Sequence, residues 1–235
     1  MNINFDNAKP ILFSGPMVRA ILAGKKTQTR RIVRYPRSWL TPYANGDADV
    51  AFRLFHAECV GSSFWNCGNP KTGERHWQCG DERLPQNYQV GDRLWVKETF
   101  AVLDALGKPT KERTGTPVWR EGYWGGTKPK WKPSIFMPRW ASRLTLEVVS
   151  VRVERLQSVS DDDVEAEGVR TTKGSGMIEG ERVFHFAAGN GYSRVGWHAY
   201  KELWESINGP GSWSLNPWVW VVEFKQISSD SKGAA

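Results

Sequence analysis

Apolar and polar positions alternate most cleanly from Leu144 to Val153, where Leu-Thr-Leu-Glu-Val-Val-Ser-Val-Arg-Val reads as a half-buried strand. Val90 to Glu98 repeats the pattern after a Gly91-Asp92 turn, with Leu94 and Val96 on one face and Trp95 and Lys97 on the other. A third strand, Trp218 to Phe224, is apolar on both faces and reads as largely buried. Helical spacing takes over from Val195 to Ile207, where Trp197, Tyr200, Leu203, Trp204 and Ile207 recur on one side before Asn208-Gly209-Pro210 stops the helix.

The first residues follow the same logic. Pro10 to Ser14 has strand length and composition, and Gly15-Pro16 leads into a short helix from Met17 to Ala23 with Met17, Ala20, Ile21 and Leu22 as its apolar face. Gly24 stands where a helix C-cap is expected. The polar run Lys25 to Arg31 therefore lies at a helix-to-strand junction, because Ile32-Val33 brings the β-branched content of a strand. Further on, Ser160 is placed to cap a short helix through Glu167, with three aspartates in its first turn and Gly168 at its end.

Between these elements periodicity fades. Residues 35–89 and 104–140 fill with Pro, Gly and single aromatics, and read as two large loop-rich insertions, the second pinned by Trp119, Trp124, Trp131 and Trp140. Residues 171–191 read as a Gly-rich flexible loop, and 228–235 as a disordered tail after a single domain spanning 1–227.

Composition narrows the function classes. There is no apolar run of about 18 residues, and the segment MNINFDNAKP lacks a basic region followed by an apolar one, so a cytoplasmic protein without membrane contact is expected. A net charge of +7 biases the surface toward anionic partners. Thirteen tryptophans serve either as core filler or as stacking platforms for bases. Cys59, Cys67 and Cys79 are odd in number and crowded together, unlike a disulfide framework. With His56 and His76 they could ligate a structural zinc, but the His-x-x-Cys order is not the usual pairing of Cys with Cys and His with His, so free thiols, no metal and no cofactor are expected.

Gly24-x-Lys26-x-x-Thr29-x-Arg31 carries the chemistry. A threonine hydroxyl becomes nucleophilic when a neighbouring lysine of lowered pKa takes its proton. A solvated basic turn explains the same residues without any chemistry. The order of GKKTQTRR, VGDRLWVKE, SDDDVEAEG and a closing PWVWVVEFK resembles the ASCH family of the PUA-like superfamily, particularly its bacteriophage and prophage members. The resemblance implies an α+β fold, a PUA-like mixed β-barrel with a few flanking helices carrying the two insertions.

By the same resemblance, Lys26, Thr29 and Glu167 match the catalytic triad of bacterial amidohydrolases that remove an acyl group from N4-acetylcytidine. Arg30, Arg31, Trp95, Lys97 and Glu98 are then candidate substrate contacts, Lys97 to a phosphate and Glu98 to a base donor. A modified nucleoside or nucleic acid is the implied partner. A non-catalytic module that holds RNA, DNA or a modified base is the competing reading. Basic residues interleaved with aromatics at Trp119-Arg120, Lys128 to Lys132 and Arg139-Trp140 suit it, since phosphate contacts and stacking together hold a strand.

Overall fold

A computed structural model describes residues 8–33, 88–112, 114–126, 128–173, 182–187 and 191–229, with the backbone of 65–68 and 75–78. Along the chain come β1 (Lys9–Leu12), α1 (Gly15–Leu22), β2 (Gln28–Ile32), β3 (Trp65–Gly68), β4 (Arg75–Gln78), β5 (Arg93–Lys97), β6 (Phe100–Leu103), β7 (Thr116–Trp119) and β8 (Leu144–Arg155). They are followed by α2 (Asp161–Ala166), β9 (Thr171–Lys173), β10 (Arg182–His185), β11 (Tyr192–Ser193), α3 (Gly196–Asn208) and β12 (Trp218–Ser229).

Five strands make one sheet in the order β1-β5-β8-β12-β2, and three small sheets pair β9 to β11, β3 with β4, and β6 with β7. The described residues therefore form an α+β fold. β1 runs parallel to β5 and the other pairings of the large sheet are antiparallel. No ladder joins the edge strands β1 and β2 among the described residues, so the sheet is open where a closed barrel would be zipped. The edges nevertheless approach each other, because Arg31 in β2 donates from Nη2 to the Leu12 carbonyl in β1 at 2.8 Å.

Two apolar clusters cover the two faces of β12. Val222 and Phe224 join Ile11, Phe13, Leu94, Val96, Leu144 and Leu146 in one, whereas Val219 and Val221 join Val164, Phe184, Tyr200 and Trp204 in the other. The period of two along a strand requires this division. The register between β8 and β12 shifts opposite Glu223 and Phe224, leaving Val149 as an extra, exposed residue. That bulge reverses the parity of β8, so Val148 and Val151 pack on the same cluster despite an odd spacing.

Several expectations need revision. α1 opens at Gly15, and its buried residues are Val18 and Ile21, with Met17 half-buried and Leu22 exposed. Eight residues give little more than two turns, which limits the buried stripe to an i, i+3 pair. Residues 171–191, expected as a loop, contribute two strands, β9 and β10, since Thr171-Thr172 and Val183-Phe184 are β-branched or aromatic pieces in a glycine-rich stretch. β12 continues to Ser229, two residues into the expected tail, whose remainder lies outside the described residues.

The 104–140 segment is less irregular than its composition suggests. β7 pairs with β6, Trp119 donates from Nε1 to the Ala141 carbonyl at 2.8 Å, and Trp119 and Trp140 pack on a cluster of Phe100, Val102, Met137 and Ala141. Trp131 meets Tyr123 edge to face. Trp124 makes no such contact among the described residues and is 95% exposed. His56, Cys59 and Cys79 lie outside the described residues. Cys67 and His76 are Cα partners in the β3/β4 ladder, and among the described residues no group of three or more metal-ligating side chains occurs.

α2 begins with a capping box: the Ser160 Oγ accepts from the Asp163 N–H at 3.1 Å while Asp163 Oδ2 accepts from the Ser160 N–H at 3.1 Å. In a helix of six residues such a cap carries much of the local order. Ser160→Ala is expected to lower unfolding stability by about 1 kcal/mol, measured by urea denaturation. An unchanged midpoint would mean that α2 is held by packing alone.

Candidate functional site

The turn between α1 and β2 is bonded on three sides. Lys25 and Lys26 N–H groups donate to the Ala20 carbonyl at the end of α1, Thr27 N–H donates to Ala166 at the end of α2, and the Thr27 carbonyl accepts from Phe224 of β12. Gly168 completes the junction. Its φ of +90° suits glycine, and a Cβ there would sit 3.0 Å from Ala20 Cβ and 3.1 Å from Lys26 Cβ. Side chains of Lys26 and Glu167 are thereby brought together across 141 residues of sequence.

Lys26 is 2% exposed and its ammonium is fully subscribed. Nζ donates to the Gln28 carbonyl at 2.7 Å, the Glu167 carbonyl at 2.8 Å and Glu167 Oε2 at 2.9 Å. Burial lowers the Lys26 pKa, with the positive charges of Arg31 and Arg30 acting in the same direction and Glu167 opposing. The other carboxylate oxygen of Glu167 lies 3.3 Å from Arg30 Nη1.

Arg30 extends the network. Its Nη2 lies 3.1 Å from Asp163 Oδ2 and 3.3 Å from Glu154 Oε2, and its guanidinium stands 5.9 Å from the Tyr200 ring centroid. Burial opposes charge on Arg30, but Glu167, Tyr200, Asp163 and Glu154 together raise its pKa. Burial also raises the Tyr200 pKa well above its ordinary value. Arg152 ties the outer side, with Nη2 at 3.1 Å from Asp163 Oδ1 and further ion pairs to Glu154 and Glu223.

β2 presents its two faces to different neighbours, and residues of both faces reach an open cleft. Thr29 is the Cα partner of Val222 and Arg31 of Trp220, so these four share a face, while Gln28 and Arg30 point to the other. The cleft, of about 460 Å³, is lined by Thr29, Arg31 and Glu167, by Leu12 of the opposite edge strand, and by Tyr200 and Trp204 of α3. Lys26 lies behind this wall and does not line it. Three donors of lining residues, Arg30 Nε, Arg31 Nε and Trp204 Nε1, are buried without a partner among the described residues. An unpaired buried donor is costly, which favours a ligand rich in acceptors.

Of the residues singled out in the sequence, Lys26, Thr29, Arg30, Arg31 and Glu167 converge on this site. Trp95, Lys97 and Glu98 do not line the cleft. Glu98 is buried against Arg143, which grips both its oxygens at 2.9 and 2.8 Å, and burial raises its pKa despite that partner. Lys97 lies over Trp95 and donates from Nζ to the Ile135 carbonyl at 2.5 Å. Sequence reasoning missed Asp163, Glu154 and Arg152, because residues so common on surfaces carry no local mark of burial. The α3 wall was visible as an apolar stripe, Tyr200, Leu203, Trp204 and Ile207, but not as part of a cleft. No family model, curated protein or solved structure matches the chain.

Two outcomes follow from the network. Lys26→Met leaves the Glu167 carboxylate buried without its ammonium and is expected to cost about 3–5 kcal/mol; Lys26→Met with Glu167→Gln should recover part of the loss, read from denaturation midpoints. Asp163 gives the pH dependence. Burial pushes its pKa up, but hydrogen bonds from the Ser160 backbone and side chain, the Arg30 charge and the Gln28 amide outweigh burial and hold it at about 2 against an ordinary 3.8. A depressed carboxyl contributes stability above the ordinary value and loses it as pH falls through the depressed one. Stability should therefore decline between about pH 4 and pH 2, and Asp163→Asn should flatten that slope in denaturation series. An equal slope in the variant would remove Asp163 as its source.

Proposed function

We propose that the protein is an amidohydrolase of ASCH type, with the curled sheet as its PUA-like barrel core, acting on an N4-acylated cytosine or a related modified base. The observation that carries this reading is the buried Lys26–Glu167 pair, 2.9 Å apart, beside a cleft whose wall carries Thr29. Burial lowers the lysine pKa, which favours the neutral amine that a base requires.

Thr29 Oγ attacks the exocyclic amide carbon, and its proton passes to the Lys26 amine. The C–N bond breaks, the proton goes to the departing base nitrogen, and the acyl group rests on Thr29 as an ester. Water then cleaves that ester to release the carboxylic acid and restore the hydroxyl. Glu167 holds Lys26 in place and shares its proton. The unpaired donors of Arg31 and Trp204 suit the carbonyl oxygens of a pyrimidine.

A binding module without turnover is the second reading. Its support is that all three Lys26 protons are already taken by oxygens other than that of Thr29. Thr29→Ala separates the two, because Thr29 takes no part in the ion-pair network and its loss should leave the fold intact. Incubated with N4-acetylcytidine, the wild-type protein is expected to release cytidine and acetate, followed by chromatography. Thr29→Ala should lose at least about 100-fold in turnover while still binding the nucleoside. No release by the wild-type protein, with binding retained, would establish the second reading instead.

A further inference from the structure

The net charge of +7 is concentrated in one place. Residues 104–140 hold eight Lys and Arg against three Asp and Glu, a surplus of five. Outside the segment many cations are matched: Lys9 with Asp92, Arg143 with Glu98, Arg152 with Asp163 and Lys225 with Glu147. Inside it, Lys108, Lys111, Arg120, Lys128, Lys130 and Lys132 make no ion pair among the described residues, and all but Lys132 are exposed.

Two large rings stand out in the same segment. Trp124 is 95% and Phe136 70% exposed, although neighbouring Trp119 and Trp140 are packed into the cluster beneath. Among the described residues Trp124 makes no hydrogen bond, ring contact or cation–π contact. Unpaired cations interleaved with free aromatic faces are what a single nucleic-acid strand requires, since phosphates take the cations and unstacked bases take the rings.

The strip also reaches the cleft. Leu12 lines the cleft and is the Cα partner of Lys97 in the neighbouring strand, one spacing of about 4.8 Å away. Lys97 Nζ in turn holds the Ile135 carbonyl, next to Phe136. Ile135, and Phe136 after it, are thereby tied to the strand next to the cleft edge.

We infer that residues 104–140 bind a single-stranded nucleic acid through Lys128, Lys130, Lys132 and the Trp124 and Phe136 rings, and deliver one of its bases to the cleft. The delivery rests on the base-binding reading of the cleft, and the strand binding does not. Phosphates follow the lysines and the exposed base nearest Phe136 turns inward. The substrate or ligand is then a base within a strand.

The test is fluorescence anisotropy of the full chain with labelled RNA and DNA single strands of about a dozen nucleotides, across a salt series. Binding should weaken steeply with salt. Lys128→Gln, Lys130→Gln and Lys132→Gln combined should reduce the slope by about two, at ~0.7 per phosphate contact. Trp124→Ala should weaken binding at least about fivefold. Lys225→Gln, which removes one charge elsewhere, should leave the slope unchanged. A slope unaffected by the triple substitution, or reduced as much per charge by Lys225→Gln, overturns the assignment. Equal affinity for duplex and single strands overturns it as well. Absence of nucleoside hydrolysis counts against the amidohydrolase and leaves this measurement decisive for the strip.

Discussion

A lysine ammonium without exposed surface survives in a protein interior only when its lost hydration is replaced, and Lys26 replaces it with three oxygens at 2.7 to 2.9 Å. Two of the three are main-chain carbonyls, one on each side of the junction between β2 and α2. The lysine thus joins backbone to backbone, and the glutamate side chain supplies the balancing charge. Arg30, Asp163, Glu154 and Arg152 then depend on that junction, because Glu167 offers its second oxygen to Arg30. The cleft is lined by Thr29 and Arg31 from one face of the same strand and by Arg30 from the other, together with Glu167, so its shape follows from how the buried charges are satisfied.

Strands of the large sheet were legible because their faces differ. β5, β8 and β12 each bury one or both faces, and alternation or apolar continuity shows in the residues themselves. β6 was missed, although all four residues of Phe-Ala-Val-Leu are buried, since so short an apolar run carries no period. β9 and β10 were missed because glycine in the surrounding stretch outweighed the short β-branched and aromatic pieces Thr171-Thr172 and Val183-Phe184.

The site divides differently. Lys26, Thr29 and Glu167 were named through family resemblance, and no spacing rule could connect residues 141 positions apart. Trp95, Lys97 and Glu98 were grouped with them, but they lie in or just after β5, with β1 between that strand and the cleft edge, and none of them lines the cleft. Sequence shows which residues share a strand face and stays silent on strand order. The cap of α2, by contrast, is local, and Ser160 was legible as its N-cap from the sequence, although the return bond to Asp163 was not.

The pairing of β2 with β12 joins residues 28–32 to 219–223. During synthesis the first half of the cleft wall leaves the ribosome long before its partner, and ordering it without β12 would forfeit most of its hydrogen bonds. β12 lies between β8 and β2, so the basic turn around Lys26 cannot be closed off before that strand is in place. Binding competence thus depends on β12, since without its pairing to β2 the cleft wall has no support.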